Sequence, residues 1–133
     1  MWTALEGAVK QWTSGDSPET TVAVTLGEES SYDIGWDTYN NILFMDDFDA
    51  QGISAKALTL MYVEIDEYST NQYHASMWET DIVLNNDQSS HTWNTNGNMD
   101  FASNLDLQSV ITHEMGHAIG IGHSYLGKQF VNG

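Results

Sequence analysis

Three histidines close together constrain this chain of 133 residues more than any other feature of its sequence. In the stretch HEMGHAIGIGH, His113 and His117 are four residues apart, so on an α-helix both imidazoles lie on one face, one turn apart. His123 follows after Gly120, where a glycine in the left-handed conformation can end the helix and turn the chain back. The spacing therefore predicts a helix, a turn and three imidazoles that converge on one point.

The residues before the histidines favour the same helix. Apolar side chains recur there at spacings of three and four, as on one face of an amphipathic helix. They are Leu107, Val110, Ile111, Met115, Ala118 and Ile119. Asp106 is the predicted N-cap, because its carboxylate can accept hydrogen bonds from the first backbone amides of a helix. We therefore predict a helix over residues 106–119.

Three imidazoles suit one particular kind of metal site. They leave one tetrahedral position of a zinc ion open, which is the arrangement of a catalytic rather than a structural zinc. Water in that position has its pKa lowered to about 7. Glu114 lies about 100° round the helix from His113, so its carboxylate is predicted to reach this water and act as general base. The pattern indicates Zn²⁺ held by His113, His117 and His123, and hydrolysis of peptide bonds.

The chain resembles a known family of enzymes over most of its length. HExxHxxGxxH is the signature of the metzincin zinc endopeptidases, and Ser124 directly after His123 is its matrixin variant. Further segments are similar to the first helix, an earlier sheet strand and the strand bordering the substrate cleft of bacterial or archaeal matrixins. These segments are residues 4–12, 39–47 and 78–85.

The resemblance implies a zinc metalloendopeptidase whose single catalytic domain covers residues 1–133. The three motif histidines are then the zinc ligands, and Glu114 activates the zinc-bound water. A protein or peptide substrate is expected to bind in extended form, by adding a strand to an edge strand that ends near Asn85. We also expect a monomer that is secreted, with its signal peptide already removed.

The chain departs from the metzincin pattern after His123. Members of that clan carry a methionine-containing turn there, below the zinc, but no methionine follows Met115 in this chain. Two interpretations stay open: the chain is cut short at its C-terminus, or this part of the cleft is rebuilt or missing. The second favours a catalytically inactive zinc-binding domain that binds extended peptides. A zinc hydrolase acting on a small non-peptide substrate is a third candidate.

The charge of the chain limits its partners. Three lysines, no arginine and 19 acidic residues give a formal net charge of −16, which repels nucleic acid and anionic membranes. No apolar run is long enough to span a membrane.

The acidic residues also make calcium a second candidate cofactor, because this ion prefers several oxygen ligands. The alternative is that these residues only form a solvated acidic surface. The candidate calcium clusters are Asp46, Asp47 and Asp49, and Glu64, Asp66 and Glu67.

Apolar periodicity predicts a single α+β domain, with an N-terminal helix and the zinc helix behind a twisted mixed sheet of about four to five strands. The first helix is predicted over residues 2–14. Strands are predicted over residues 21–26, 41–45, 57–65 and 77–84. The strand over residues 57–65 is mostly apolar, so we predict that it lies at the centre of the sheet.

Residues 67–74 and 85–104 are polar and are predicted to be loops. His74 and His91 fall in these loops without the spacing of a second zinc site, so they are predicted to be surface histidines. Trp93 is predicted to pack against the second loop rather than to contact a substrate.

Overall fold

The computed structural model describes residues 1–13, 26–27, 34–87, 89, 91–98, 100 and 103–123. Two α-helices lie in this part of the chain, α1 (Trp2–Thr13) and α2 (Leu107–Ala118). The described strands are β1 (Ile42–Met45), β2 (Ala57–Ser69), β3 (Gln72–Asn85), β4 (Thr92–Asn94) and β5 (Asn104–Asp106). Both helices and an α+β fold are confirmed. The strand predicted over residues 21–26 lies outside the described residues, apart from Leu26.

The main sheet has the strand order β1-β3-β2 in the described part of the chain. β1 runs parallel to β3 and β2 runs antiparallel to it, with Ile82 of β3 opposite both Ile42 and Thr59. Within the described ranges, no strand pairs with the outer edge of β2. The sheet is therefore mixed, as predicted, and β3 is its central strand.

This strand order corrects two predictions. The strand that starts at Ala57 was predicted to be central, but among the described strands it lies at an edge. The strand that ends at Asn85 was predicted to be an edge, but it lies between two others. The physical reason is burial. Every residue of β3 from position 79 to Asn85 is buried, whereas Met61 and Ile65 of β2 are at least half exposed. Apolar composition alone did not distinguish the two environments.

β3 contains two buried carboxylates, Glu79 and Asp81, and acidic residues in a sequence usually indicate an exposed strand. Asp81 is completely buried, and its two oxygens accept hydrogen bonds from the backbone amides of Gly35 (3.1 Å) and Asn41 (3.0 Å). Glu79 accepts from the backbone amide of Thr38 at 2.6 Å. Backbone donors thus satisfy charges that burial makes costly. The segment before β1 is held against the central strand as a result.

The polar segment over residues 67–74 is a hairpin and not a loop. β2 and β3 stay paired as far as Ser69 and Gln72 and are joined by a tight turn, in which Asn71 adopts a left-handed φ of 65°. Asparagine tolerates this conformation better than most residues. We call residues 63–77 the hairpin arm, because most of their side chains are exposed. A β-bulge after Tyr62 marks where the arm begins.

The second predicted loop contains structure that the sequence did not reveal. β4 and β5 pair in parallel within residues 85–106. His91 is only 3 % exposed, so its assignment as a surface histidine was wrong. Its Nε2 donates to the carbonyl oxygen of Asn85 at 3.0 Å, and Nε1 of Trp93 donates to the same oxygen at 2.8 Å. Trp93 packs against the core, which confirms its predicted packing role.

The two helices pack together and cover one face of the sheet. Nε1 of Trp12 in α1 donates to the carbonyl oxygen of Thr112 in α2 at 2.8 Å. A Cβ added at Gly116 would lie 3.0 Å from the Trp12 ring, so glycine permits this close approach. Residues from α1, α2, β2 and β3 form the common core, and α2 thereby has a fixed position over the sheet. Neither described helix has the length to cross a membrane.

Candidate metal and catalytic site

Asp106 fixes the start of the site helix. Its φ of −77° and ψ of 115° are extended, and one carboxylate oxygen accepts from the backbone amide and the hydroxyl of Ser109, at 2.9 and 2.7 Å. The other accepts from the backbone amide of Gly97 at 3.0 Å. Burial alone raises the pKa of Asp106, but these hydrogen bonds outweigh it and hold the pKa below its usual value. The predicted N-cap is confirmed.

Gly120 ends the helix where the sequence predicted. Its φ of 88° is left-handed, and its amide donates to the carbonyl oxygen of His117 at 2.8 Å. The amide of Ile121 then donates to the carbonyl oxygen of Gly116 at 2.9 Å, which reverses the chain. Apart from its chain neighbours, no atom of the described residues lies within 4 Å of a Cβ built on Gly120, so it is the backbone conformation that requires glycine here.

The turn brings the three histidines together. Nε2 of His117 lies 3.1 Å from Nε2 of both His113 and His123, and the latter two nitrogens are 3.2 Å apart. A tetrahedral ion about 2.0 Å from each ligand requires nitrogens about 3.3 Å apart, so the three imidazoles fit zinc. Nδ1 of His117 donates to the carbonyl oxygen of Ile121 at 2.6 Å. This bond leaves the lone pair on Nε2, facing the other two rings.

Glu114 sits beside the histidines, at the interface between α2 and the sheet. Its side chain is only 7 % exposed. The hydroxyl of Thr59, on β2, lies 2.6 Å from carboxylate oxygen Oε2 of Glu114 and 3.0 Å from its backbone carbonyl oxygen. Glu114 thus follows His113 directly in α2, and its carboxylate is connected to β2. Thr59 could not be identified from the sequence, because no motif relates residues 55 positions apart.

The comparison with known families decides the affiliation. The family model for matrixin, peptidase family M10, matches residues 6–131, which is nearly the whole chain. The chain belongs to the matrixin family. Membership confirms the resemblance found in the sequence and makes the protein a member of a metallopeptidase family. The curated proteins gave no significant match. The solved structures gave none either.

Within the described part of this matrixin, the three motif histidines form the only group of three or more potential ligands that converge. Ser124, which carries the matrixin variant of the motif, lies outside the described residues, as does the segment after it. His74 lies on the exposed hairpin arm and His91 is buried near Asn85, so the described residues do not assemble a second histidine site.

Calcium has no support among the described residues of this matrixin. Asp46 accepts a hydrogen bond from the side-chain amide of Asn86, and Asp47 from that of Gln51. In the second cluster, Glu64, Asp66 and Glu67 follow one another along β2. Because side chains alternate between the two faces of a strand, these three carboxylates cannot all point to one side.

Proposed function

We propose that this matrixin is a zinc-dependent endopeptidase, with His113, His117 and His123 as zinc ligands and Glu114 as general base. One observation carries the proposal: three ring nitrogens lie within 3.2 Å of one another, and the residue after His113 in α2 is a buried glutamate. His113 and His123 are exposed, so a substrate can approach the site. Three protein ligands with open access are typical of catalytic rather than structural zinc.

Glu114 and His117 have different roles in the proposed hydrolysis. A zinc ion bound there supplies Lewis-acid activation of a water molecule and of the substrate carbonyl. Glu114 accepts the proton of the attacking water at a carboxylate oxygen and passes it to the amine nitrogen of the leaving group. The hydrogen bond from His117 to Ile121 holds its imidazole in the required tautomer and orientation.

The substrate is proposed to bind in extended form along β2. Its outer edge is unpaired among the described residues, and its Thr59 contacts Glu114. A peptide added as a strand to this edge would therefore run past the base, with backbone hydrogen bonds that tolerate varied side chains. β2 takes the place of the strand ending near Asn85, which is central and has no free edge. We further propose that the protein acts outside the cell, as a monomer.

The test is cleavage of a quenched fluorescent casein or gelatin substrate, with and without a zinc chelator. Glu114→Ala is expected to lower kcat by roughly 10²- to 10⁴-fold, because it removes the general base. Bound zinc should stay at one per chain in that variant. Glu6→Ala on the exposed surface of α1 is the matched control and should cleave at the wild-type rate.

The same experiment distinguishes the inactive alternative. Stoichiometric zinc without cleavage of casein, gelatin or a peptide library would refute the endopeptidase and leave a peptide-binding domain. Cleavage that persists in Glu114→Ala would refute the role given to this glutamate.

A further inference from the structure

The contact between Thr59 and Glu114 joins two different elements of the fold. Thr59 lies on β2, is half-buried, and points to the face of the sheet that α2 covers. Its hydroxyl lies 2.6 Å from Oε2 of Glu114 and 3.0 Å from the backbone carbonyl oxygen of the same residue. A hydroxyl has a single hydrogen to donate. The shorter contact, to an ionised oxygen, has the length of a charge-assisted hydrogen bond and is the stronger of the two.

The contact uses only one oxygen of the Glu114 carboxylate. Among the described residues, Oε1 accepts no hydrogen bond, and no buried side-chain oxygen in this part of the chain lacks a partner. Oε1 therefore reaches solvent. One oxygen is anchored to β2 and the other is available to a water molecule or a substrate, which is the arrangement that a positioned proton acceptor needs.

We propose that Thr59 is a positioning residue that fixes the orientation of the Glu114 carboxylate; this rests on the endopeptidase function proposed above. A glutamate side chain has several rotatable bonds, and ordering it costs free energy. The hydrogen bond from Thr59 orders the Glu114 side chain before the substrate binds. The hydroxyl therefore acts on the chemical step rather than on substrate binding. Its loss should lower kcat and leave KM nearly unchanged.

A purely structural role makes a different prediction for this position. Thr59 faces the core side of a strand, opposite Ile82, where a β-branched apolar residue of similar shape would fit. If packing were its only role, valine would serve as well as threonine, and serine, which lacks the methyl group, would serve worse. If the hydroxyl positions Glu114, serine should function and valine should not.

The kinetic test compares Thr59→Val, Thr59→Ser and Thr80→Val in the zinc-loaded protein. Thr59→Val should lower kcat by about tenfold or more, the effect of losing a hydrogen bond to a charged group, with KM changed by less than about twofold. Thr59→Ser should keep kcat within about threefold of wild type.

Thr80→Val is the matched control for this series. It removes a buried hydroxyl that contacts Asn40 instead of Glu114, and should leave kcat and KM unchanged. A wild-type kcat in Thr59→Val, or equal losses in the valine and serine variants, would overturn the proposal.

A second measurement tests the contact without using activity. Urea unfolding of the zinc-loaded wild type, Thr59→Val, Glu114→Ala and the double variant gives the coupling between the two side chains. We expect a coupling of about tenfold in the unfolding equilibrium constant, the size of a hydrogen bond to a carboxylate. Coupling below about twofold would overturn the proposal even in an active protease. A wild type that cleaves nothing while the coupling persists would instead identify failure of the endopeptidase function.

Discussion

Gly120 gives the sharpest test of how the backbone builds the metal site. The turn at this residue is left-handed, with φ of 88°, and apart from its chain neighbours no atom of the described residues lies within 4 Å of an added Cβ. Gly120→Ala therefore meets no other described residue, and its expected cost is the conformational penalty of an L-residue in that region, about 1–2 kcal/mol. Gly122 also has open space around an added Cβ, and its φ is not in the left-handed region.

The two glycines form a matched pair. Replacing either by alanine restricts the unfolded chain to the same extent, so this effect cancels in the comparison. What remains is the left-handed penalty. Gly120→Ala should lower the combined free energy of folding and zinc binding by about 1–2 kcal/mol more than Gly122→Ala, or about 5- to 30-fold as an equilibrium constant. Gly120→Asn should fall between the two, because asparagine tolerates the left-handed region better.

The assay has two parts, because strain in the turn can appear in either process. Urea unfolding of the metal-free proteins gives the loss in folding free energy, and competition with a chromophoric chelator gives the loss in zinc affinity. Their sum is the predicted quantity, since the zinc-loaded fold is the state that must hold the turn. Equal sums for Gly120→Ala and Gly122→Ala would refute the argument that the left-handed turn delivers His123 to the site.

Two further predictions concern the helices that support the site. Asp106→Ala should lower the free energy of unfolding by about 1–2 kcal/mol in urea titrations at neutral pH, because it removes the N-cap of α2. Since hydrogen bonds hold the pKa of Asp106 low in the folded protein, its stabilisation should be complete above about pH 4 and lost as pH falls through the lower folded-state pKa. Asp106→Asn should weaken the dependence of unfolding free energy on pH below about pH 4. An unchanged pH dependence would contradict the role given to the Asp106 carboxylate. Gly116→Val should lower the free energy of unfolding by about 1–3 kcal/mol, and with it the melting temperature, because the added side chain overpacks against Trp12. A melting temperature equal to that of the wild type would contradict close packing of the two helices at this point.

The helix and turn of the site could be predicted because the information is local. Asp106, the histidine spacing and Gly120 act within a few residues of one another, and the structure confirms the N-cap, the helix and the left-handed turn. The convergence of the three imidazoles follows from that local geometry. Helix α1 and strand β1 were predictable for the same reason, since each is specified by its own periodicity.

The remaining features depend on residues far apart in the chain. Strand order is set by pairing between strands, and β3 can be buried with its carboxylates because backbone amides of residues 35–41 satisfy Glu79 and Asp81. The pattern of a single strand contains nothing about those partners. His91 is buried by packing near Asn85, although the sequence around it is polar. Thr59 looks like an ordinary strand residue until β2 and α2 meet.

The hairpin arm also bears on how the protein behaves in concentrated solution. Met61 at its base and Val63 and Ile65 within it are exposed apolar side chains, and the outer edge of β2 beside them is unpaired among the described residues. Such an edge is a template for sheet growth between molecules. Mutual repulsion from the net charge of −16 opposes that growth, but its range shrinks from about 8 Å at 0.15 M salt to about 3 Å at 1 M. Salt should therefore promote self-association through the same edge that is proposed to hold the substrate, and a bound peptide should suppress it.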